Sequence, residues 1–177
     1  MKVSAKDIQK LREKTSAGVM DCKFALEAAK GGFDKAIQLL REKGKATVAK
    51  KSSRTTKEGR IEAYVHLHNK IGVLLELNCE TDFVSRCEEF KKLSKDLAMQ
   101  IAALNPSYLK KEDLPKNVIE ENKNCLEDFC KANCLLQQPF IKDQTRNVED
   151  YLTEVLAKTG ENIVVRRFVR FQLGEEA

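Results

Sequence analysis

Two histidines, His66 and His68, lie two residues apart in YVHLHNK. Alternation along a strand would turn both rings to one face, the start of a metal site, but the sequence places no third ligand beside them. They are expected to be surface or sheet-face histidines. Six cysteines stand at 22, 79, 87, 125, 130 and 134. No pair shows the two-residue gap of a zinc ribbon or a redox dithiol. Cys125, Cys130 and Cys134, five and four apart in a helical pattern, can bring at most two thiols to one face. The six read as reduced thiols used as small apolar side chains, with thiol redox chemistry as the competing reading. Asp and Glu number 27, yet none is marked as an acid–base pair. No phosphate-cradling loop, dinucleotide fingerprint or nucleophile elbow occurs. A bond-making enzyme, a metal site and a bound cofactor are therefore not expected.

What remains is the chemistry of contact. In NCETDFVSRCEEF, residues 78–90, an apolar run gives way to a helical pattern, and Phe83 falls on the first turn beside Asp82. A single helix is expected from near Thr81 to Leu104, with Phe90, Leu93, Leu97, Ile101 and Leu104 as its apolar stripe. On that helix Phe83 projects at nearly the angle of Ile101, so the period alone favours burial. Its position favours the opposite, since a first turn overhangs the sheet it leaves. Asp82 there is stabilised by the helix dipole and unpaired amides. A second outward signal lies near the amino terminus. With Cys22 at zero and 100° per residue, Ala25, Leu26 and Ala29 fall within about 60° of it, while Met20 and Phe24 fall at about 160° and 200°. Met20 and Phe24 therefore share the side turned away from a small core.

The elements that must position these residues follow from period and punctuation. Three short helices fill residues 1–44. The first starts at the N-cap Ser4, with Asp7 three residues on, and carries Ile8 and Leu11. The second, after the loop TSAGV, ends at Gly31-Gly32, and the third carries Phe33, Ala36, Ile37 and Leu40 and stops at Gly44. Residues 45–59 read as a basic exposed linker or frayed helix. In the body, 60–177, Ile61, Ala63, Val65 and Leu67 alternate, HNKIG turns, and IGVLLELN returns as the second strand of a hairpin. Helices are expected at 117–136 and 148–158. In the closing segment Val165, Val169, Phe171 and Leu173 share a strand face, with Arg167 as the exception. The class is α+β: a three-helix domain followed by a three-stranded antiparallel sheet packed with helices.

Charge is uneven. Residues 1–60 hold 16 Lys/Arg against 7 Asp/Glu, a balance of +9, and residues 61–177 hold 16 against 20, a balance of −4. A basic head on a mildly acidic body suggests different partners or faces. Lys50, Lys51, Arg54 and Lys57 make RNA or the ribosome a competing partner, although no aromatic interleaves them for base stacking. No apolar run is long enough to span a membrane. The opening MKVSAKDIQKLREK lacks the apolar block of a secretory signal and carries acids that a transit peptide avoids. The chain is expected to work in the cytoplasm.

Three segments resemble elongation factor Ts, the exchange-factor family of bacterial and organellar translation: KLREKTSAGVMDCKFAL, LELNCETDFVSRCEEF, and the closing QPFIKD with RRFVRFQLGEE. The resemblance implies a ubiquitin-associated-like amino-terminal domain that docks on the GDP-bound GTPase elongation factor Tu, with Arg12, Val19 and Met20 as contacts. It implies that Thr81, Asp82, Phe83 and Val84 form the family's Thr-Asp-Phe-Val motif. Phe83 would be a wedge that enters the partner beside its magnesium and loosens the nucleotide. Short members of the family act as homodimers, which the resemblance implies here too, with no direct nucleic-acid or membrane partner. Cys87 and Phe24 stand where the family often has polar residues.

Overall fold

The computed structural model describes residues 3–15 and 17–175. Ser16, in the expected loop TSAGV, lies outside them. The chain divides into two units, Met1–Thr55 with Thr153–Asn162, and Thr56–Leu152 with Ile163–Ala177.

The first unit holds α1 (Ala5–Thr15), α2 (Val19–Ala28) and α3 (Phe33–Lys51). The Ser4 hydroxyl accepts the Asp7 amide at 3.1 Å and donates to the Asp7 carboxylate at 2.6 Å, a reciprocal N-cap. Leu11, Cys22, Ala25, Leu26, Ala29 and Ala36 form the core, with Ile8, Phe33, Ile37 and Leu40 packed against it. The α2 side found by helical phase is therefore the buried one. Gly31 closes α2 at φ 87, where its N–H reaches the Leu26 carbonyl, a conformation that L side chains rarely adopt. The expected stop at Gly44 is not observed, because α3 runs on to Lys51. Gly44 serves packing instead: a Cβ there would lie 2.8 Å from the Thr153 methyl. The last turn of α3 is fastened by Lys51, whose ammonium donates to the Gly160 carbonyl at 2.5 Å.

The second unit is built on β1 (Glu58–Val65), β2 (Ile71–Cys79) and β5 (Ile163–Gln172), antiparallel in the order β1-β2-β5. α4 (Asp82–Arg86) and α5 (Glu88–Leu104) follow β2. Buried Val73, Leu75, Leu77 and Cys79 line one face of β2, and buried Phe90, Leu93, Leu97 and Ile101 line α5, which packs on β1 and β2. Leu104, expected in that stripe, is 42% exposed at the helix end. Asn105 closes the helix in the left-handed region.

Three further expectations fail. The helix expected from Thr81 is two helices, because Cys87 adopts extended φ −70, ψ 154 between them. The helix expected over 117–136 is α6 (Lys116–Glu121) and α7 (Leu126–Asn133). Asn122, its side chain bonded back to the Val118 carbonyl at 2.9 Å, ends the first of them. Val165 does not share a face with Val169 and Phe171. The register shifts between Glu76 and Leu77, leaving Arg166 as a bulge that reverses the side-chain parity. Val165 is buried, whereas Val169 and Phe171 are 41% and 67% exposed.

Between α7 and α8 (Val148–Thr159) the chain forms a small hairpin, β3 (Pro139–Phe140) with β4 (Asp143–Asn147). It is held to α5 by polar groups. Asp96, 3% exposed, accepts from the Lys142 ammonium at 2.7 Å and the Tyr151 hydroxyl at 2.9 Å. Gln100 donates to the Gln138 amide oxygen at 3.2 Å and accepts the Ile141 N–H at 2.9 Å. The Arg146 guanidinium lies over the stacked Phe140 and Tyr151 rings.

Candidate functional site

The tip of the second unit begins where β2 ends. Cys79, fully buried, pairs with Glu58 and Ile163 and donates its thiol hydrogen to the Thr81 carbonyl at 3.1 Å. Thr81 is extended, so the chain turns there from strand into α4. The Thr81 carbonyl accepts the Ser85 N–H at 3.3 Å. The Ser85 hydroxyl donates to the Asp82 carbonyl at 2.8 Å. The Asp82 carboxylate pairs with Arg86 at 3.0 Å. Exposed pairs of this kind add about 0–1 kcal/mol, so this one adds little to the stability of the turn. Thr81 and Val84 are half-buried, and α4 packs on β1, β2 and α5.

Phe83 points the other way and is 83% exposed, more than any other large apolar side chain among the described residues. Burying such a ring would contribute about 1.5–3 kcal/mol, which the fold forgoes. The period that favoured burial assumed one helix from Thr81 to Leu104. The break at Cys87 removes the phase relation between Phe83 and Ile101.

In the first unit Val19, Met20 and Phe24 are 49%, 54% and 55% exposed. Met20 and Phe24, one turn apart, lie on the side of α2 opposite its core residues, and Val19 is the first residue of that helix. Arg12 is exposed on α1. The Lys43 ammonium beside this helix is paired with Asp21 at 2.6 Å. The expected contact residues thus fall into two groups, Arg12, Val19 and Met20 in one unit and Thr81 to Val84 in the other.

A third surface was missed. The outer face of the sheet carries Ile61, Val65, Leu74, Val169 and Phe171, with Leu67 and Leu173 at one end, all exposed. In register, Ala63 stands opposite Leu74 and Leu74 opposite Val169. The alternation of Ile61, Ala63 and Val65 was legible, but not that this is the uncovered face. The inner face of β1 is instead polar, and Glu62 accepts from the buried Ser94 hydroxyl at 2.8 Å.

The other chemistry-bearing groups are placed as follows. His66 follows β1, and His68 sits in a turn at φ 68 rather than on a strand. His66 Nδ1 is 2.9 Å from the Tyr64 hydroxyl. Among the described residues no cluster of His, Cys, Asp or Glu is arranged to hold a metal. Cys130 and Cys134 are buried together in a small core with Leu114. Burial, and next the neighbouring Cys130, push the Cys134 thiol up to about 12. Cys125 is exposed. Arg170 turns inward onto the Ala102 carbonyl, while Arg166 and Arg167 stay exposed. No helix among the described residues is long and apolar enough to cross a membrane.

The family model "Elongation factor TS" matches residues 2–128 and 125–175. A protein of Thermodesulfovibrio yellowstonii named Elongation factor Ts is 52% identical over 196 positions, covering 99% of this chain and 98% of its own length. Proteins of the same name from Thermotoga maritima and Caldanaerobacter subterraneus subsp. tengcongensis are each 49% identical over 195 positions. They cover 99% and 98% of this chain respectively, and 98% of their own lengths. These alignments are longer than the 177 residues here, so the relatives carry insertions that this chain lacks. Identity near one half, sustained from end to end, has one reading: this protein belongs to the elongation factor Ts family.

Proposed function

We propose that this translation elongation factor binds elongation factor Tu in its GDP-bound form and accelerates loss of the nucleotide. The observation that carries the reading is the exposed Phe83 ring on a short helix fastened at the end of the central strand. Arg12, Val19 and Met20 dock the head on the partner. Thr81, Asp82 and Val84 support the tip, and Phe83 enters the partner beside its magnesium. Nucleotide held through phosphates and a metal loses affinity when the elements positioning that metal are displaced. Factor and nucleotide then weaken each other by the same factor, and a coupling of about 1–3 kcal/mol corresponds to about 5–150-fold. No covalent bond is made or broken, and the work is done in the cytoplasm, where the partner acts.

The active form in this reading is a homodimer joined through the outer sheet face. Five large apolar side chains from three adjacent strands support it, because exposed apolar area of this extent marks an interaction surface. The competing reading, an RNA- or ribosome-bound protein using residues 45–60, is not favoured. The beginning of that segment is the end of α3, and Lys51 is engaged by the Gly160 carbonyl. Binding to RNA that fell steeply with added salt would revive it.

The test is release of labelled GDP from elongation factor Tu. The wild-type chain accelerates it, and Phe83→Ala lowers the stimulated rate more than tenfold with the fold intact. A Phe83→Ala chain as fast as wild type would remove the wedge.

A further inference from the structure

The exchange reading asks a five-residue helix to hold an aromatic ring in a fixed direction. A helix of that length has no stability of its own, so its orientation depends on its packing against β1, β2 and α5 and on what grips its ends. The Asp82–Arg86 pair and the Ser85–Asp82 bond lie inside α4 and travel with it. The Cys79 thiol is different, because it reaches into the turn from the sheet. Cys79 is the last residue of the central strand, paired on both sides and fully buried, so its sulfur is held where the sheet holds it. Its hydrogen goes to the Thr81 carbonyl, 3.1 Å away, and that carbonyl also receives the first-turn N–H of Ser85. One oxygen thus joins the end of β2 to the start of α4, two residues before the exposed ring.

We infer that Cys79 is a positioning residue for Phe83: its buried thiol fixes the Thr81 carbonyl and through it the direction in which α4 presents the ring. A thiol is a weak donor, but hydrogen bonds strengthen away from water, and here the geometry rather than the strength of the bond is used. The role belongs to the donor hydrogen and not to the sulfur as a filler of space. A hydroxyl of similar shape fulfils it, and a methyl does not.

The inference rests on the exchange reading for its functional consequence but has a structural readout of its own. In GDP release from elongation factor Tu, Cys79→Ala lowers the saturating stimulated rate about two- to tenfold, the range of one net hydrogen bond. The concentration for half-maximal stimulation stays within about twofold, because the head contacts are untouched. Cys79→Ser, which keeps a donor, restores most of the rate. In amide hydrogen exchange, Cys79→Ala speeds exchange at Ser85 and Cys79→Ser does not. Thermal unfolding of both variants reports packing, and Cys79→Val supplies the donor-free comparison if the alanine variant does not fold. A packing-only cysteine makes alanine and serine fail together. That outcome, or an alanine variant with wild-type Ser85 protection and saturating rate, overturns the inference. If wild type accelerates release and Phe83→Ala does not, while Cys79→Ala equals wild type, only the role of Cys79 is lost. If wild type gives no acceleration, the exchange reading fails, and the Ser85 amide still decides whether the thiol holds the turn.

Discussion

Phe171→Ala tests whether the outer sheet face is the interface of the proposed homodimer. Phe171 stands on the edge strand β5 opposite Gly72, and 67% of it is accessible in the single chain. Full burial of a phenylalanine is favourable by about 1.5–3 kcal/mol, so covering the remaining two thirds contributes about 1–2 kcal/mol. A twofold interface uses the same residue from each copy, which doubles the loss to about 2–4 kcal/mol per dimer. That corresponds to a rise in the dimer Kd of about 30- to 700-fold. The exposed site leaves no cavity in the monomer, so the chain's own unfolding should shift little. Sedimentation equilibrium over a concentration series measures the Kd directly. A Phe171→Ala chain that dimerises within threefold of wild type would place the interface elsewhere. A wild-type chain that stays monomeric at high concentration would remove the dimer altogether.

Other predictions concern the scaffold. Asp96→Asn removes the charge that the Lys142 ammonium and Tyr151 hydroxyl share in a nearly dry site. It should cost about 1–3 kcal/mol and lower Tm by about 3–10 °C, read by thermal unfolding. Cys134 binds its proton more tightly folded than unfolded, so its contribution to stability is complete below about pH 9 and is lost as pH rises toward about 12. Urea unfolding between pH 8 and 11 should show that decline, and Cys134→Ala should flatten it. Gly59 has φ 151, and a Cβ there would collide with the Leu77 carbonyl oxygen across the strand pair. Gly59→Ala should therefore destabilise by about 2–4 kcal/mol, visible as a lower urea midpoint with unchanged slope.

Much of the fold could be read from local pattern. The Ser4 cap, the buried side of α2 and the stripe Phe90, Leu93, Leu97 and Ile101 follow from short-range rules that tertiary packing did not override. Three of the errors share one cause: a periodic reading is blind to a single residue that resets the phase. Cys87 in extended conformation disconnects Phe83 from the α5 stripe. Arg166 as a bulge moves Val165 to the inner face and Val169 and Phe171 to the outer. Asn122 breaks a pattern that looks continuous. None of these residues is a glycine or proline, so punctuation gave no warning. The exposure of the candidate site was legible in part for the same reason. Met20 and Phe24 turned outward on an uninterrupted helix, and the phase argument succeeded. Phe83 sat across a break, and only its place at a strand-to-helix junction pointed outward. The exposed sheet face was unreadable because alternation identifies an apolar side without saying whether anything covers it.

If the ring at residue 83, carried on a turn fastened to the sheet, loosens another protein's nucleotide, the rate at which that nucleotide leaves depends on the ring. Stopped-flow release of fluorescent GDP from elongation factor Tu, with wild type and Phe83→Ala each at saturating concentration, measures that dependence. Wild type should accelerate release strongly and the variant should lose more than tenfold, with both chains binding the partner. Equal acceleration by the two chains, or none by wild type, would contradict it.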